Sequence, residues 1–471
     1  TTEPLCKSNT LVQPDGGVFF LRPHYLRDIL NSIATRHEAS LRKSPSCAWP
    51  YGLTTTYLSH RIFTMRRRIV IERAERLNQI PPYSTREIDR YKKRLVARGI
   101  EPIDLTVGSI DLTVQDGTIA CLTESIKNIG SASMPVAPVV PGFQQAFSAW
   151  FTRRFDVDLN PDTQVLPLTG AKTGVACVPL ALVNPGETVL VPDPAYPAYR
   201  TATIMAGGDV QALPLVERND FLPNLRQVDP AVAHRTKLMF ISYPNNPTGA
   251  VTDIQMFREI VDFARQHNII VCHDATHSLM TYDDYEAPSL LQAPGGGNVG
   301  FEIYSLSVLL GGTPWELGVA VGNPSSLAAL AQLTNNMDTA LFPALQQAGI
   351  EALDNADTQL SEIMPQYARR RDILVDGLRR LGWKIRAPKA GMYVWAPTPP
   401  RYTSVRFSVL LRKAGVFVVP GAFMGEYGEG YVRFALNTPE DRMQTVIERI
   451  EQSLSRHRRL RRLHASQFSL V

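Results

Sequence analysis

Leu238-Met239-Phe240-Ile241-Ser242-Tyr243-Pro244-Asn245-Asn246-Pro247-Thr248-Gly249 begins as an apolar run and ends in prolines and asparagines. An apolar run without polar alternation predicts a strand covered on both faces, the way strands of a parallel sheet are buried. The Pro/Asn cluster predicts a turn needing special backbone angles. Working outward, Met256, Phe257, Ile260, Val261, Phe263 and Ala264 recur at helical spacing, and Ile269-Ile270-Val271-Cys272 is a second apolar run. Upstream, Gln164-Val165-Leu166-Pro167-Leu168 and Thr188-Val189-Leu190-Val191 repeat the first pattern. Strands alternating with helices in this way predict a mainly parallel sheet with helices on both faces.

After residue 350 the texture changes. A long polar helix around Gln366-Tyr367-Ala368-Arg369-Arg370-Arg371 leads into Met392-Tyr393-Val394-Trp395, Val416-Phe417-Val418-Val419 and Tyr431-Val432-Arg433-Phe434-Ala435-Leu436. These read as strands of a smaller α+β domain. Met443, Val446, Ile447, Ile450 and Leu454 then share one face of a closing helix. The expected division is 65–105 for an N-terminal helix and arm, 106–345 for a large domain, 346–455 for a small one, and 456–471 for a basic tail. Residues 1–64 stand apart. They are rich in Ser, Thr and Arg, show no sustained period, and lack the layout of a signal peptide. Met65 opens an amphipathic helix start running to Leu77, so 1–64 is expected to be upstream readthrough or a disordered extension.

The chain of 471 residues can hold two or more domains with sizeable cores. Hydrophobic content of 44% and charged content of 20% describe an ordinary globular protein. The net charge of +5 is partly local to Arg456, Arg458, Arg459, Arg461 and Arg462, a run that reads as a solvated helix end. Nucleic acid and membrane are therefore not expected partners. No helix-turn-helix pattern is present, and no apolar stretch reaches the ~20 residues of a membrane span. Five scattered cysteines without a CxxC pair argue against a disulfide framework or zinc site, and predict a reducing cytoplasm.

Several motifs, in order and spacing over residues 80–455, resemble the class I/II aminotransferases, which depend on pyridoxal phosphate (PLP) and share fold type I. In the turn quoted above, Asn246 stands where the family's asparagine bonds the cofactor's phenolic oxygen. In His273-Asp274-Ala275-Thr276-His277, Asp274 stands where a carboxylate keeps the pyridine nitrogen protonated, so that the ring can absorb electrons. Leu168-Thr169-Gly170-Ala171-Lys172-Thr173-Gly174 resembles the loop that cradles the phosphate at a helix N-terminus. Its Gly170-Ala171-Lys172 core is similar to the LL-diaminopimelate aminotransferase form. Asp193-Pro194-Ala195-Tyr196-Pro197-Ala198-Tyr199 offers Tyr196 as the ring-stacking tyrosine. Arg433 matches the arginine that grips the substrate's α-carboxylate, a task that suits its planar fork. Gly108 lies in a segment similar to the one that closes over substrate. The resemblance implies a large domain on a seven-stranded sheet, a homodimer, and a small amino acid or 2-oxo acid as ligand.

The stretch Tyr304-Ser305-Leu306-Ser307-Val308-Leu309-Leu310-Gly311-Gly312-Thr313-Pro314-Trp315-Glu316-Leu317-Gly318 resembles the family's Schiff-base segment, with Ser305 and Ser307 as cofactor contacts. Val308 replaces the lysine, and with it both the covalent anchor and the proton carrier. Glu316 replaces the arginine that pairs with the phosphate. Near ~4 Å a unit charge pair is worth about 4 kcal/mol at an effective dielectric of 20, here with its sign reversed. Ala137 stands where a phosphate-binding tyrosine is common, and His277 where a ring-contacting tyrosine is usual. Two expectations stay open. One is a degenerate homologue, a pseudoenzyme that binds but does not transaminate. The other is an active PLP enzyme with a displaced base, His277 or Lys172.

Overall fold

The computed structural model describes residues 71–81, 85–111, 114–129, 140–312, 315–337 and 341–467. A short strand β1 (Ile103–Asp104) precedes seven strands of one sheet. These are β2 (Val165–Leu168), β3 (Thr188–Asp193), β4 (Asp209–Pro214), β5 (Thr236–Ser242), β6 (Ile270–Asp274), β7 (Gly300–Ser305) and β8 (Gly318–Gly322). Their order is β2-β8-β7-β6-β5-β3-β4. β8 runs antiparallel to both neighbours, and the remaining pairs are parallel.

β5 explains why its apolar run shows no alternation. Leu238 and Phe240 enter a core shared with the helix Ala171–Leu182, while Met239 and Ile241 enter one shared with the helix Ile254–His267. Successive side chains point to opposite faces, and both faces are covered. The covering helix Ile254–His267 is punctuated as its sequence demands. Asp253 accepts from the Met256 N–H at 2.9 Å at its start, and Asn268 ends it with φ of 55°.

Three strands of this sheet fall outside the apolar runs singled out above, each for a local reason. β4 is an edge strand, exposed along much of its length. β7 carries the buried charge Glu302, and β8 is a short run bounded by glycines.

The C-terminal part supplies β9 (Tyr393–Pro397), β10 (Val416–Phe417), β11 (Val419–Pro420) and β12 (Tyr431–Ala435). β11, β12 and β9 form an antiparallel sheet, whereas β10 pairs in parallel with β1. The run Val416–Val419, expected as one strand, is therefore two, because its halves bond to different partners. The polar helix extends over Ala356–Arg380, and the closing helix over Glu440–Gln467. Met443, Val446, Ile447 and Ile450 of the latter are buried, as its apolar face predicts.

Arg73–Val471 cluster as one compact unit, in which both sheets share a continuous apolar core. Of the helix expected from Met65 to Leu77, the described part begins at residue 71. There the chain is irregular up to a 3-10 turn, Glu75–Gln79, with no buried residue. With no apolar face to bury, so short a segment has little to hold it in an α-helix. Ala137 and the tract 1–64 lie outside the described residues. No helix among the described residues is long and apolar enough to cross a membrane.

Candidate functional site

β5, β6 and β7 end at Ser242, Asp274 and Ser305, and β2, parallel to them, ends at Leu168. The loops bearing Asn246, His277, Val308 and Gly170 therefore leave one edge of the sheet. Open α/β sheets bind ligands at this edge, outside the carboxyl ends of their strands.

One set of residues gathers around Asp274. Its carboxylate accepts hydrogen bonds from the Tyr199 hydroxyl at 2.6 Å, the Thr276 N–H at 3.1 Å and the Thr276 hydroxyl. Burial and the Asp274 carboxylate push the Tyr199 phenol well above its usual range, so Tyr199 remains a donor. Tyr196 is half-buried, its ring edge-on to Tyr199 at 5.9 Å.

His277 is buried between opposing charges. Burial is the main cause that lowers its pKa to about 4, with Asp274 pulling it up and Arg433 pushing it down. Arg433 is 7% exposed. It donates to the Asn246 Oδ1 at 2.8 Å and the Thr106 carbonyl at 2.7 Å, and its guanidinium lies 4.1 Å from the Tyr393 ring centroid. Its Nε has no hydrogen-bond partner among the described residues. Tyr393 also meets the His277 ring edge-on at 5.4 Å. Gly108 belongs to this set by close approach, since a Cβ there would sit 1.8 Å from the Tyr393 hydroxyl oxygen.

A buried polar network supports these loops from behind. Glu302 accepts from Ser289 Oγ, from the Leu290 N–H at 2.8 Å and from the Tyr304 hydroxyl at 3.0 Å. It also pairs with His273 Nδ1 at 2.6 Å. The far nitrogen of His273 faces the Tyr243 N–H at 3.2 Å and the Tyr243 carbonyl at 3.0 Å. The network joins β6 and β7 to the turn that carries Asn246, and the His273 and Glu302 side chains are fully buried.

The second set lies at the ends of β7 and β2. Ser305 Oγ donates to Ser307 Oγ at 3.1 Å, and Ser307 Oγ donates to the Trp315 carbonyl at 3.3 Å. Val308 is 4% exposed and belongs to the apolar core that includes Leu306, Leu309, Leu310 and Leu317. Glu316 is exposed, yet its side chain lies along the turn at Gly170. Gly170, with φ of 86°, leads into the helix Ala171–Leu182. Ala171 is buried and Lys172 exposed.

The two sets fit PLP unequally. Asp274, Asn246, Tyr196 and Arg433 supply what a pyridine ring and a carboxylate need. At the other end residue 308 offers no amine, and the Glu316 carboxylate lies beside the Gly170 turn, which the resemblance assigns to the phosphate. The residues present do not fit PLP as a covalently anchored phosphate cofactor.

Sequence reasoning missed Tyr199, Thr276, Thr106 and Tyr393 as members of the site. Tyr199 and Thr276 lie inside quoted motifs, but their bonds to Asp274 depend on which strands are neighbours. Thr106 acts through its carbonyl, which leaves no trace in residue type.

The sequence profile of the family described as "Aminotransferase class I and II" matches residues 100–450. The chain is 45% identical over 379 residues to the LL-diaminopimelate aminotransferase of Syntrophobacter fumaroxidans, covering 80% of this chain and 98% of that one. It is 44% identical over 387 residues to the enzyme of the same name from Moorella thermoacetica, with 82% and 99% coverage. Among solved structures, substrate-bound BacF from Bacillus subtilis superposes with a TM-score of 0.77 at 31% identity, covering 81% and 98% of the chains. A probable N-succinyldiaminopimelate aminotransferase from Thermus thermophilus gives 0.74 at 30% identity, with 78% and 99% coverage.

Proposed function

The chain belongs to the class I and II aminotransferase family, whose members depend on PLP, and on that footing we propose that it binds a small amino acid or 2-oxo acid without transaminating it by the lysine route. Val308 carries this reading: it is buried in an apolar core, and the resemblance of its segment assigns it the place of the family's lysine. A valine neither bonds covalently to a carbonyl nor carries a proton.

Ligand binding is supported by Arg433. Its buried Nε lacks a partner, and a buried donor without one is destabilising by about 1–3 kcal/mol until an acceptor arrives. A carboxylate is the acceptor whose geometry matches the guanidinium fork. The relatives' name makes LL-diaminopimelate the first amino acid to test. The reading includes a homodimer in a reducing cytoplasm, in keeping with the three described cysteines, Cys121, Cys177 and Cys272, forming no disulfide among the described residues.

Absorbance spectroscopy and calorimetry test the proposal together. Adding PLP and amino acids to the wild type should give no amine-dependent shift of an absorbance band beyond that of the same mixture without protein. Val308→Lys combined with Glu316→Arg should gain one. Calorimetry should detect amino-acid binding to the wild type, weakened about 10- to 100-fold in Arg433→Ala, the loss of a charge-assisted bidentate contact. An amino-acid-dependent spectral shift in the wild type would overturn the reading.

It would also favour a second reading, in which His277 moves the proton. His277 supports that alternative by being neutral at pH 7 and beside Asp274 and Arg433. Lys172, the other candidate, is exposed.

A further inference from the structure

Residue 316 is fixed in space by backbone, not by its own side chain. Leu168 is paired with Gly318 across β2 and β8, and Ser305 with Gly318 across β7 and β8. Gly318 presses on the turn itself. A Cβ on Gly318 would lie 2.6 Å from the Ala171 nitrogen and 2.8 Å from the Gly170 carbonyl carbon. Glu316, two residues away, is thereby brought alongside Gly170. A Cβ built on Gly170 would lie 3.4 Å from the Glu316 Cβ, 3.3 Å from its Cδ and 2.2 Å from its Oε2. Stem and carboxylate both follow the turn.

The turn opens the helix Ala171–Leu182, whose first N–H groups have no partner within the helix and favour an anion. Here the Glu316 carboxylate lies alongside the turn that leads into those N–H groups. An arriving phosphate dianion meets a carboxylate where it needs a cation. Because Glu316 is exposed, water and salt weaken the repulsion well below its dry-site value. Discrimination on the order of tenfold is the appropriate scale for an exposed charge.

The opposite end of the pocket keeps its demand for a cation. Asp274 is held by the Tyr199 and Thr276 donors and is 7% exposed. A protonated pyridine nitrogen answers it, and a ring bearing an uncharged hydroxymethyl group would meet Ser305, Ser307 and Glu316 without conflict.

Building on the binding function above, we propose that Glu316 is a specificity-determining residue that selects against phosphate, so that the pyridine ligand of this pocket is a non-phosphorylated one. Pyridoxine and pyridoxine 5′-phosphate test this, because neither carries an aldehyde and the missing lysine has no bearing on them. Their Kd values are measured by calorimetry on the wild type, Glu316→Gln and Glu316→Arg, with circular dichroism to verify folding.

The wild type is expected to bind pyridoxine about tenfold tighter than its phosphate. Glu316→Gln should narrow the gap and Glu316→Arg reverse it. Added salt should shrink the wild-type preference. Equal or tighter binding of the phosphate by the wild type would overturn the proposal, as would an unchanged order in Glu316→Arg or no wild-type binding of either compound. Amino-acid binding is measured on the same preparations. If it persists while the pyridoxine order fails, the specificity inference falls and the proposed function stands. If amino-acid binding is absent, the proposed function itself falls.

Discussion

Asp274 shows how much of a site is decided by residues that a motif leaves unremarked. Its carboxylate is kept in place by Tyr199 from the helix Ala198–Ala206 that follows β3 and by Thr276 two positions along the chain. Tyr199→Phe removes the 2.6 Å donor and leaves a buried carboxylate short of one bond. Urea unfolding should show a loss of about 1.5–3 kcal/mol, the range for hydrogen bonds to charged groups, with no change in the slope of the transition. Asp274, Asn246 and Arg433 were singled out in the sequence through motifs that resemble the family's, and the structure bonds Arg433 to Asn246 and sets His277 beside both Asp274 and Arg433. Tyr199 and Tyr393 were not, since an aromatic residue in an apolar setting is ordinary core until its neighbours are known. Val308 and Glu316 were expected, from the resemblance, to depart from the family's pattern. What the structure adds is their surroundings: an apolar core for the first and the Gly170 turn for the second.

At the scale of elements, the apolar runs that became β3, β5 and β6 were readable because both of their faces are buried. β4, at the sheet edge, is exposed or half-buried except at Leu213, and the glycine-bounded β8 gives too few side chains to form a pattern. The division of Val416–Val419 between two sheets follows from pairing partners that lie far away in sequence. Pairing also explains the buried Glu302, a charge that would otherwise argue against a central strand. His273, Ser289, the Leu290 N–H and Tyr304 satisfy it. Glu302→Ala should destabilise the chain by about 3–5 kcal/mol, the effect of stranding buried partners. Glu302→Gln, which keeps the shape, should lose less. Chemical denaturation ranks the two, and equal losses would show that charge rather than hydrogen bonding dominates this contact.

For the whole molecule, His277 links folding to pH. Its pKa is about 4 in the native state, against about 6.5 in an unfolded chain. Between those values the unfolded chain binds a proton that the native chain refuses, so stability rises with pH. The contribution is complete above the unfolded value and disappears as pH falls through the window toward the native one. From about pH 7 to about pH 4 the wild type should lose on the order of 3 kcal/mol more than His277→Gln. Denaturation midpoints of both proteins across that range check the difference, and parallel curves would refute it.

The bond from Arg433 to the Thr106 carbonyl spans 327 residues of chain, and contacts that distant form only after long loops have closed. A polypeptide that stops short of residue 433 lacks this anchor. The proposed capture of a carboxylate by Arg433 would thus report on molecules in which both ends of that span are in place, and not on the sheet alone.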